Sequence, residues 1–244
     1  MKNTASPRYF LTNHIYPCDV DGHMLVLDLG ADQYSSLGHA EAEALRHLFK
    51  TKRHDSDTNP EGFEEAIKTL LDQNILTTDH TGGKKAAPTS TNQAVLDMKG
   101  YPFDGTPTIR ISHFIKCCRA FIRAKFMRRF FSIEHIATRI TKRRARTLMN
   151  ATIGTTPPEE SLARIRELVE VFRILKVLFY TEKDQCLFDS LTLIEFLSLY
   201  RLYPMWIFGV QMGPFQAHCW VQDGTHIYND SITHTDFFTP IMSV

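Results

Sequence analysis

The pattern of apolar and polar positions opens on two strand-like runs, His14 to Val20 and His23 to Leu29. They flank Asp21-Gly22, a pair that favours the tight turn of a hairpin. Gly30-Ala31-Asp32 then turns the chain into a third strand, Gln33 to Leu37. Pro17 has no N–H to give a ladder, so the first of these strands is expected at an edge or broken. The period next becomes helical. His39 to Phe49 places Ala42, Leu45, Leu48 and Phe49 at core spacing. After a polar loop from Thr51 to Asn59, Pro60-Glu61 starts a second helix with Phe63, Ile67, Leu70 and Leu71 as one stripe. Ile75 to Thr78 reads as a last short strand.

From there to about Thr106 the composition shifts to Gly, Lys, Pro, Ser and Thr, the signature of a linker. Gly82-Gly83-Lys84 lacks the upstream glycine and the leading strand of a phosphate loop. Two helices follow over about Ile109 to Asn150. Phe114, Ile115, Phe121, Ile122, Phe126 and Phe130 make one apolar face, and Ile133, Ile136, Ile140 and Leu148 another. Pro157-Pro158 starts a further helix, Glu160 to Phe179, with Leu162, Ile165, Leu168, Val169, Phe172, Leu175 and Val177 available for packing. The residues after Cys186, through Tyr200, again carry an apolar stripe at helical spacing, with Asp189, Thr192 and Glu195 along another face. Trp206 to Val210, Gln216 to Val221 and His226 to Tyr228 read as strands, with Asp223-Gly224 as a hairpin turn.

Composition changes this picture little. The chain has 244 residues, 43% of them hydrophobic, and a net charge of +1, which suits a globular protein with a real core. The first residues lack the apolar run of a secretory signal, so a cytoplasmic location is expected. The charge-poor run Leu202 to Gln222 holds Pro204, Gly209, Gly213 and Pro214, so a membrane span is not expected. The five cysteines are an odd count without regular spacing, which predicts free thiols. Charge is uneven: Arg110 to Arg146 holds twelve Lys or Arg and one acid, Glu134, leaving 16 basic against 26 acidic residues elsewhere. That stretch is either a solvated helix face or a surface for nucleic acid, acidic lipid or an acidic protein. Asp19, Asp21, Asp28, Asp32, Glu41 and Glu43 make the first module too acidic for a nucleic-acid reader, so no nucleic-acid partner is expected. His113 with Cys117-Cys118 lacks the rest of a zinc spacing, and neither a metal nor a cofactor is expected.

The candidate chemistry lies between Gln185 and Asp230. Cys186 opens a helix, where the positive end of the dipole favours the thiolate. His218 sits on a strand and Asp230 just past one. Amide cleavage by a thiol needs a base for the sulfur and an acceptor that orients the imidazole. Cys186 as nucleophile, His218 as acid and base, and Asp230 as orienting acceptor supply these roles. A buried cysteine, a core histidine and a turn aspartate would give the same pattern.

The flanking residues add specificity. Cys186-Leu187 with Ser190, Gly209-Val210, Pro214-Phe215, Ala217-His218 with Trp220-Val221, and Asn229-Asp230 resemble the leader peptidases of lasso-peptide biosynthesis, a branch of the transglutaminase-like cysteine proteases. Cys219 departs from the usual alanine and Gln222 from a common acid. The first is expected to be packing that points away from the His218 face, the second a change of surface charge. The N-terminal layout, with strands Met24–Leu29 and Gln33–Leu37 and the helix Glu64–Leu71, resembles the winged helix-turn-helix recognition element of peptide-modifying enzymes.

These resemblances imply an α+β protein of three parts. Residues 1–80 would recognise a leader peptide, 81–107 would link, and 108–244 would form a papain/transglutaminase-like cysteine protease domain with a basic helical start. A leader would add as a strand along Gln33, Tyr34, Ser35 and Ser36, with Phe63, Ile67 and Leu70 as part of its pocket. The implied reaction is hydrolysis of the leader–core bond of a lasso precursor, freeing the core N-terminus for a separate ATP-dependent lasso cyclase. ATP dependence has been associated with the family, and the absence of a nucleotide motif assigns that need to the cyclase. The basic helices would dock the cyclase or the precursor through residues such as Arg143, Arg144 and Arg146. Other readings are a cysteine amidase or acyltransferase on another substrate, or a peptide-binding scaffold without catalysis.

Overall fold

The computed structural model describes residues 9–50, 62–100, 105–150, 159–180 and 186–244, which fall into two units, Met1–Thr89 and Ser90–Val244. The expected loop over 51–59, the helix starts at Pro60-Glu61 and Pro157-Pro158, Gln185 and the side chain of Leu148 lie outside the described residues.

In the first unit, β1 (Phe10–Thr12), β2 (Ile15–Val20), β3 (His23–Asp28) and β4 (Gln33–Ser36) precede α1 (His39–Lys50), α2 (Phe63–Asp72), β5 (Leu76–Thr77) and β6 (Gly83–Lys84). They form two antiparallel three-stranded sheets, β2-β3-β4 and β5-β1-β6. The hairpin is set by Asp21 and Gly22, both left-handed at φ 51° and 82°, the conformation a two-residue turn needs to follow the strand twist. Pro17 is tolerated because β2 is an edge strand. Strands β1 and β6 escaped the sequence pattern because two or three residues cannot show an alternation. Strand β6 also lies in the expected linker. There Lys84 Nζ donates to the Asn13 carbonyl at 3.0 Å and sits 3.1 Å from the centre of the Tyr16 ring. Burial pulls this amine down to about 7, so Gly82-Gly83-Lys84 is part of a packed sheet edge. The core of this unit gathers Leu11, Ile15, Met24, Val26, Leu45, Phe63, Ile67, Leu70 and Leu76.

The second unit begins with β7 (Leu96–Asp97), then α3 (Ile111–Phe130), α4 (Ile133–Asn150), α5 (Glu159–Lys176) and α6 (Cys186–Ser198). It ends with β8 (Met205–Gln211), β9 (Gln216–Asp223), β10 (His226–Ile227), α7 (Ile232–Thr235) and β11 (Thr239–Ser243). The sheet order is β11-β8-β9-β10-β7, antiparallel except for β7 against β10. Strand β7 was also expected to be linker. The amides of Val95 and Met98 instead donate to Thr225 and Ile227 at 2.8 and 3.0 Å and fasten it to the sheet.

Two helices differ from their periodicity in an instructive way. On α3 the buried residues are Cys117, Ala120, Ala124 and Met127. The apolar face read from the sequence is largely open, with Ile122, Phe126 and Phe130 more than half exposed. A row of small side chains lets α3 approach α6 closely, and the large ones are left over. On α6 every residue from Asp189 to Leu197 is buried, so it has no solvent face at all. Its acidic residues meet cations inside the protein. Lys176 and Tyr180 donate to Asp189 Oδ1 at 2.7 and 3.0 Å. Arg143 donates to Glu195 Oε1 at 2.9 Å, and Arg123 pairs with Oε2 at 3.0 Å. Arg144 is also engaged, its Nε donating to the Tyr203 carbonyl at 3.0 Å. Part of the basic stretch thus neutralises a buried carboxylate. Among the described residues no helix is long and apolar enough to cross a membrane, and Val177, expected to pack, is exposed.

Candidate active site

The site is assembled where the start of α6 meets β9. Cys186 is the first residue of α6, at the positive end of the helix dipole. His218 lies on β9 directly across from Gly209 on β8. A Cβ at Gly209 would come within 2.8 Å of Phe238 and of the Trp220 ring, so only glycine lets these side chains pack beside His218. His218 in turn packs against Phe238 and Trp220, with ring centres 5.1 and 6.0 Å away.

The imidazole is held from two sides, by the Asp230 carboxylate at Nε2 and by the Cys186 sulfur. Burial acts to lower its pKa, but these two anionic partners outweigh it and raise the group to about 9. Asp230 is buried as well, which by itself would raise its pKa. Hydrogen bonds from His218, His234 and the Ser231 amide reverse the sign and hold it well below the usual carboxylate range. His234 Nδ1 and the Ser231 amide lie 3.0 and 2.8 Å from the carboxylate oxygens. The neighbouring Asn229 ties sheet to helix, accepting from the Val221 amide at 2.8 Å and donating to Asp189 at 2.9 Å.

The Cys186 thiol is pulled down to about 4. The largest cause is a hydrogen bond from the Cys219 thiol. Burial opposes it, and His218 and the Cys219 amide add to it. Cys219 was expected to be inert packing. It is indeed buried and off the His218 face, but the face it occupies is that of α6. Burial and the adjacent sulfur raise its own thiol well above the ordinary value, so it stays neutral and acts as donor. Ser190 Oγ completes the layer, 3.4 Å from Cys219 Sγ, donating to the Cys186 carbonyl at 2.7 Å and accepting from Trp206 Nε1 at 2.8 Å. Replacing Cys219 with alanine should therefore preserve activity while moving the acid limb of Cys186 alkylation up from about 4 toward the ordinary thiol range. Iodoacetamide inactivation rates against pH would check this, and an unmoved limb would show that Cys219 is idle.

Sequence reasoning missed three further supports. Asp97 accepts from the Ile232 amide at 3.1 Å, Lys99 lies 3.7 Å from Asp230, and Asn92 accepts from Gln222 at 2.8 Å. All three belong to the stretch expected to be linker, where the two-residue strand β7 is too short to show an alternation. Gln222, expected at the surface, is buried and also accepts from Trp220 Nε1 at 3.0 Å.

His218, Asp230 and His234 have ligand atoms within 4.8 Å of one another and are the one group among the described residues that could hold a metal ion. The Asp230 oxygens already accept from three donors, so an ion here would have to displace the His218 contact. Chelation should leave activity unchanged, while added zinc should inhibit.

The residues expected to bind a leader are placed in the first unit. Gln33, Tyr34, Ser35 and Ser36 form β4 at a sheet edge, beside a depression of about 340 Å³ lined by Ser35, Ser36, Leu37, Gly38, Glu41 and Gln73. Phe63, Ile67 and Leu70 are only 7%, 2% and 0% exposed and belong to the core. They cannot present side chains to a peptide, because the inward stripe of an amphipathic helix is the face the fold consumes.

Residues 128–243 match the model described as the Transglutaminase-like superfamily. The match spans α4 through β11, and thus the helix of Cys186 and the strand of His218. This transglutaminase-like domain is consistent with cysteine protease or acyltransferase chemistry. No curated protein and no solved structure matches the chain.

Proposed function

We propose that the chain is a cysteine peptidase with Cys186 as nucleophile, His218 as acid and base, and Asp230 as the residue that orients His218. The observation that carries this is geometric: a thiol at the start of α6 meets an imidazole that Asp230 holds from the other side, a contact that favours the thiolate and imidazolium pair. The thiolate attacks the scissile carbonyl, the imidazolium protonates the leaving amine, and the imidazole then takes a proton from the water that releases the acyl group. An acyl-enzyme can also pass to an amine, which is the acyltransferase alternative.

The substrate in this reading is a ribosomally made lasso precursor, cut between leader and core, whose freed core passes to a separate ATP-dependent cyclase. Support comes from the motif residues around Cys186, His218 and Asp230, and from an edge strand at Gln33–Ser36 able to take an added peptide strand. Binding the leader in one unit would raise the local concentration of a single bond at the other.

The precursor encoded beside the gene, incubated with the protein, should give two products whose masses sum to the precursor plus water, and none with Cys186→Ala. A product carrying an amine in place of water would shift the reading to acyl transfer. Cleavage by Cys186→Ala would remove the proposed nucleophile. Leader binding that persists after removal of Met1–Thr89 would remove the recognition role from that unit.

A further inference from the structure

The aromatic face that α3 leaves unburied borders a groove of about 1020 Å³. Its floor is an aromatic platform. Phe121 stacks on Phe179 at 5.0 Å, Phe188 meets Phe121 and Tyr180 edge-on at 5.6 and 5.1 Å, and the Tyr180 hydroxyl is fixed to buried Asp189. Ile122, Phe126 and Phe130 form the outer wall, exposed by 65%, 53% and 64%. Among the described residues that line the groove, the charged groups are Lys125, Arg128 and Arg129, and none is an acid. Lys125 and Arg129 lie 5.9 and 5.6 Å from the ring centres of Phe121 and Phe130, and among the described residues none of the three is paired with a carboxylate.

The groove shares the first turn of α6 with Cys186. Leu187 and Phe188, two of its lining residues, directly follow Cys186 in the first turn of α6. So large an exposed apolar surface on well-packed helices signals a binding surface. Its one-signed rim selects among ligands, because a cationic rim raises the local concentration of anionic groups.

We infer that this groove is the substrate channel beside the nucleophile, and that it takes a peptide segment combining large apolar side chains with aspartate or glutamate. The apolar side chains lie on the platform of Phe121, Phe179 and Phe188. The carboxylates pair with Lys125, Arg128 and Arg129. The inference rests on the peptidase reading and adds the substrate class that the site would favour.

The test uses the full-length Cys186→Ala protein and short fluorescein-labelled peptides carrying phenylalanine and leucine, one with two aspartates and one with two lysines in their place. Fluorescence anisotropy should show the acidic peptide binding at least about tenfold more tightly, with the difference shrinking as salt is raised. Lys125→Glu/Arg128→Glu/Arg129→Glu should remove that preference, and Phe126→Ser should weaken binding of the acidic peptide. Both changes are on exposed positions, and melting curves confirm that the variants fold. Equal binding of the two peptides, or a charge-reversed variant that keeps the preference, overturns the inference. So does binding confined to phosphatidylserine vesicles, which would make the face a membrane surface, or a dimer that Phe126→Ser dissolves. A burst of nitrophenol from p-nitrophenyl acetate, with Cys186 restored, needs no groove. Its absence from the wild type would sink the peptidase reading, whereas a burst retained alongside indifferent peptide binding would sink the groove alone.

Discussion

Replacing His218 with alanine should lower kcat/KM for peptide hydrolysis by about ten-thousand-fold, the upper end of what a positioned general acid and base contributes. The fall has two sources that separate experimentally. One is the proton delivered to the leaving amine, which nothing else at the site supplies. The other is the contribution of His218 to the thiolate, which ranks below that of Cys219. Iodoacetamide needs only the thiolate, so alkylation of His218→Ala should stay far faster than its hydrolysis, with an acid limb between about 4 and the ordinary thiol range. In the unaltered protein, hydrolysis should be bell-shaped in pH. As pH falls through about 4 the thiolate is protonated, and as it rises through about 9 the imidazolium loses its proton, so the competent pair fills the window between. A profile centred on the ordinary histidine range, with no activity near pH 5, would show that Cys186 and His218 are not paired in this way.

The catalytic candidates were legible because each is short-range. A cysteine opening an apolar helix, a histidine inside a strand and an Asn-Asp at a strand end can be seen without knowing how they meet. Most of the N-terminal elements were legible for the same reason, since β2, β3, β4, α1 and α2 each carry their own turn or stripe. What was hidden depended on partners far away in sequence. Strand β7 exists because β10, about 130 residues later, offers it a free edge, and two residues carry no period of their own. Cys219 follows His218 on β9, and nothing local says that its thiol meets Cys186. On α3 the sequence shows an apolar face but not its burial, because hydrophobicity favours burying phenylalanine whereas close packing against α6 favours Cys117, Ala120 and Ala124. The face left over borders the groove. A conflict between local preference and the fold is where a binding surface is expected.

The basic stretch carries the same tension, and charge reversal along α4 resolves it. Arg143→Glu should destabilise the second unit severely, whereas Arg146→Glu, one turn further along the same helix, should leave it nearly unchanged. Glu195 is 1% exposed, and its charge is compensated by Arg123 and Arg143 from two different helices. Removing one partner of a buried pair costs about 3–5 kcal/mol, and a second carboxylate in its place adds repulsion. Against a whole-domain stability of about 5–15 kcal/mol, that is a large fraction. It corresponds to a fall in Tm of roughly 6–20 °C for a unit of this size. Arg146 is exposed, and substitutions at such positions usually stay within about 0.5 kcal/mol. Calorimetry on the two variants separates the roles, because they change net charge equally and differ only in what the side chain meets. Equal melting temperatures would mean that Glu195 does not depend on Arg143. A collapse confined to Arg143→Glu means that loss of partner binding in that variant reports unfolding, so only exposed residues such as Arg146 and Lys142 can test whether α4 docks a partner.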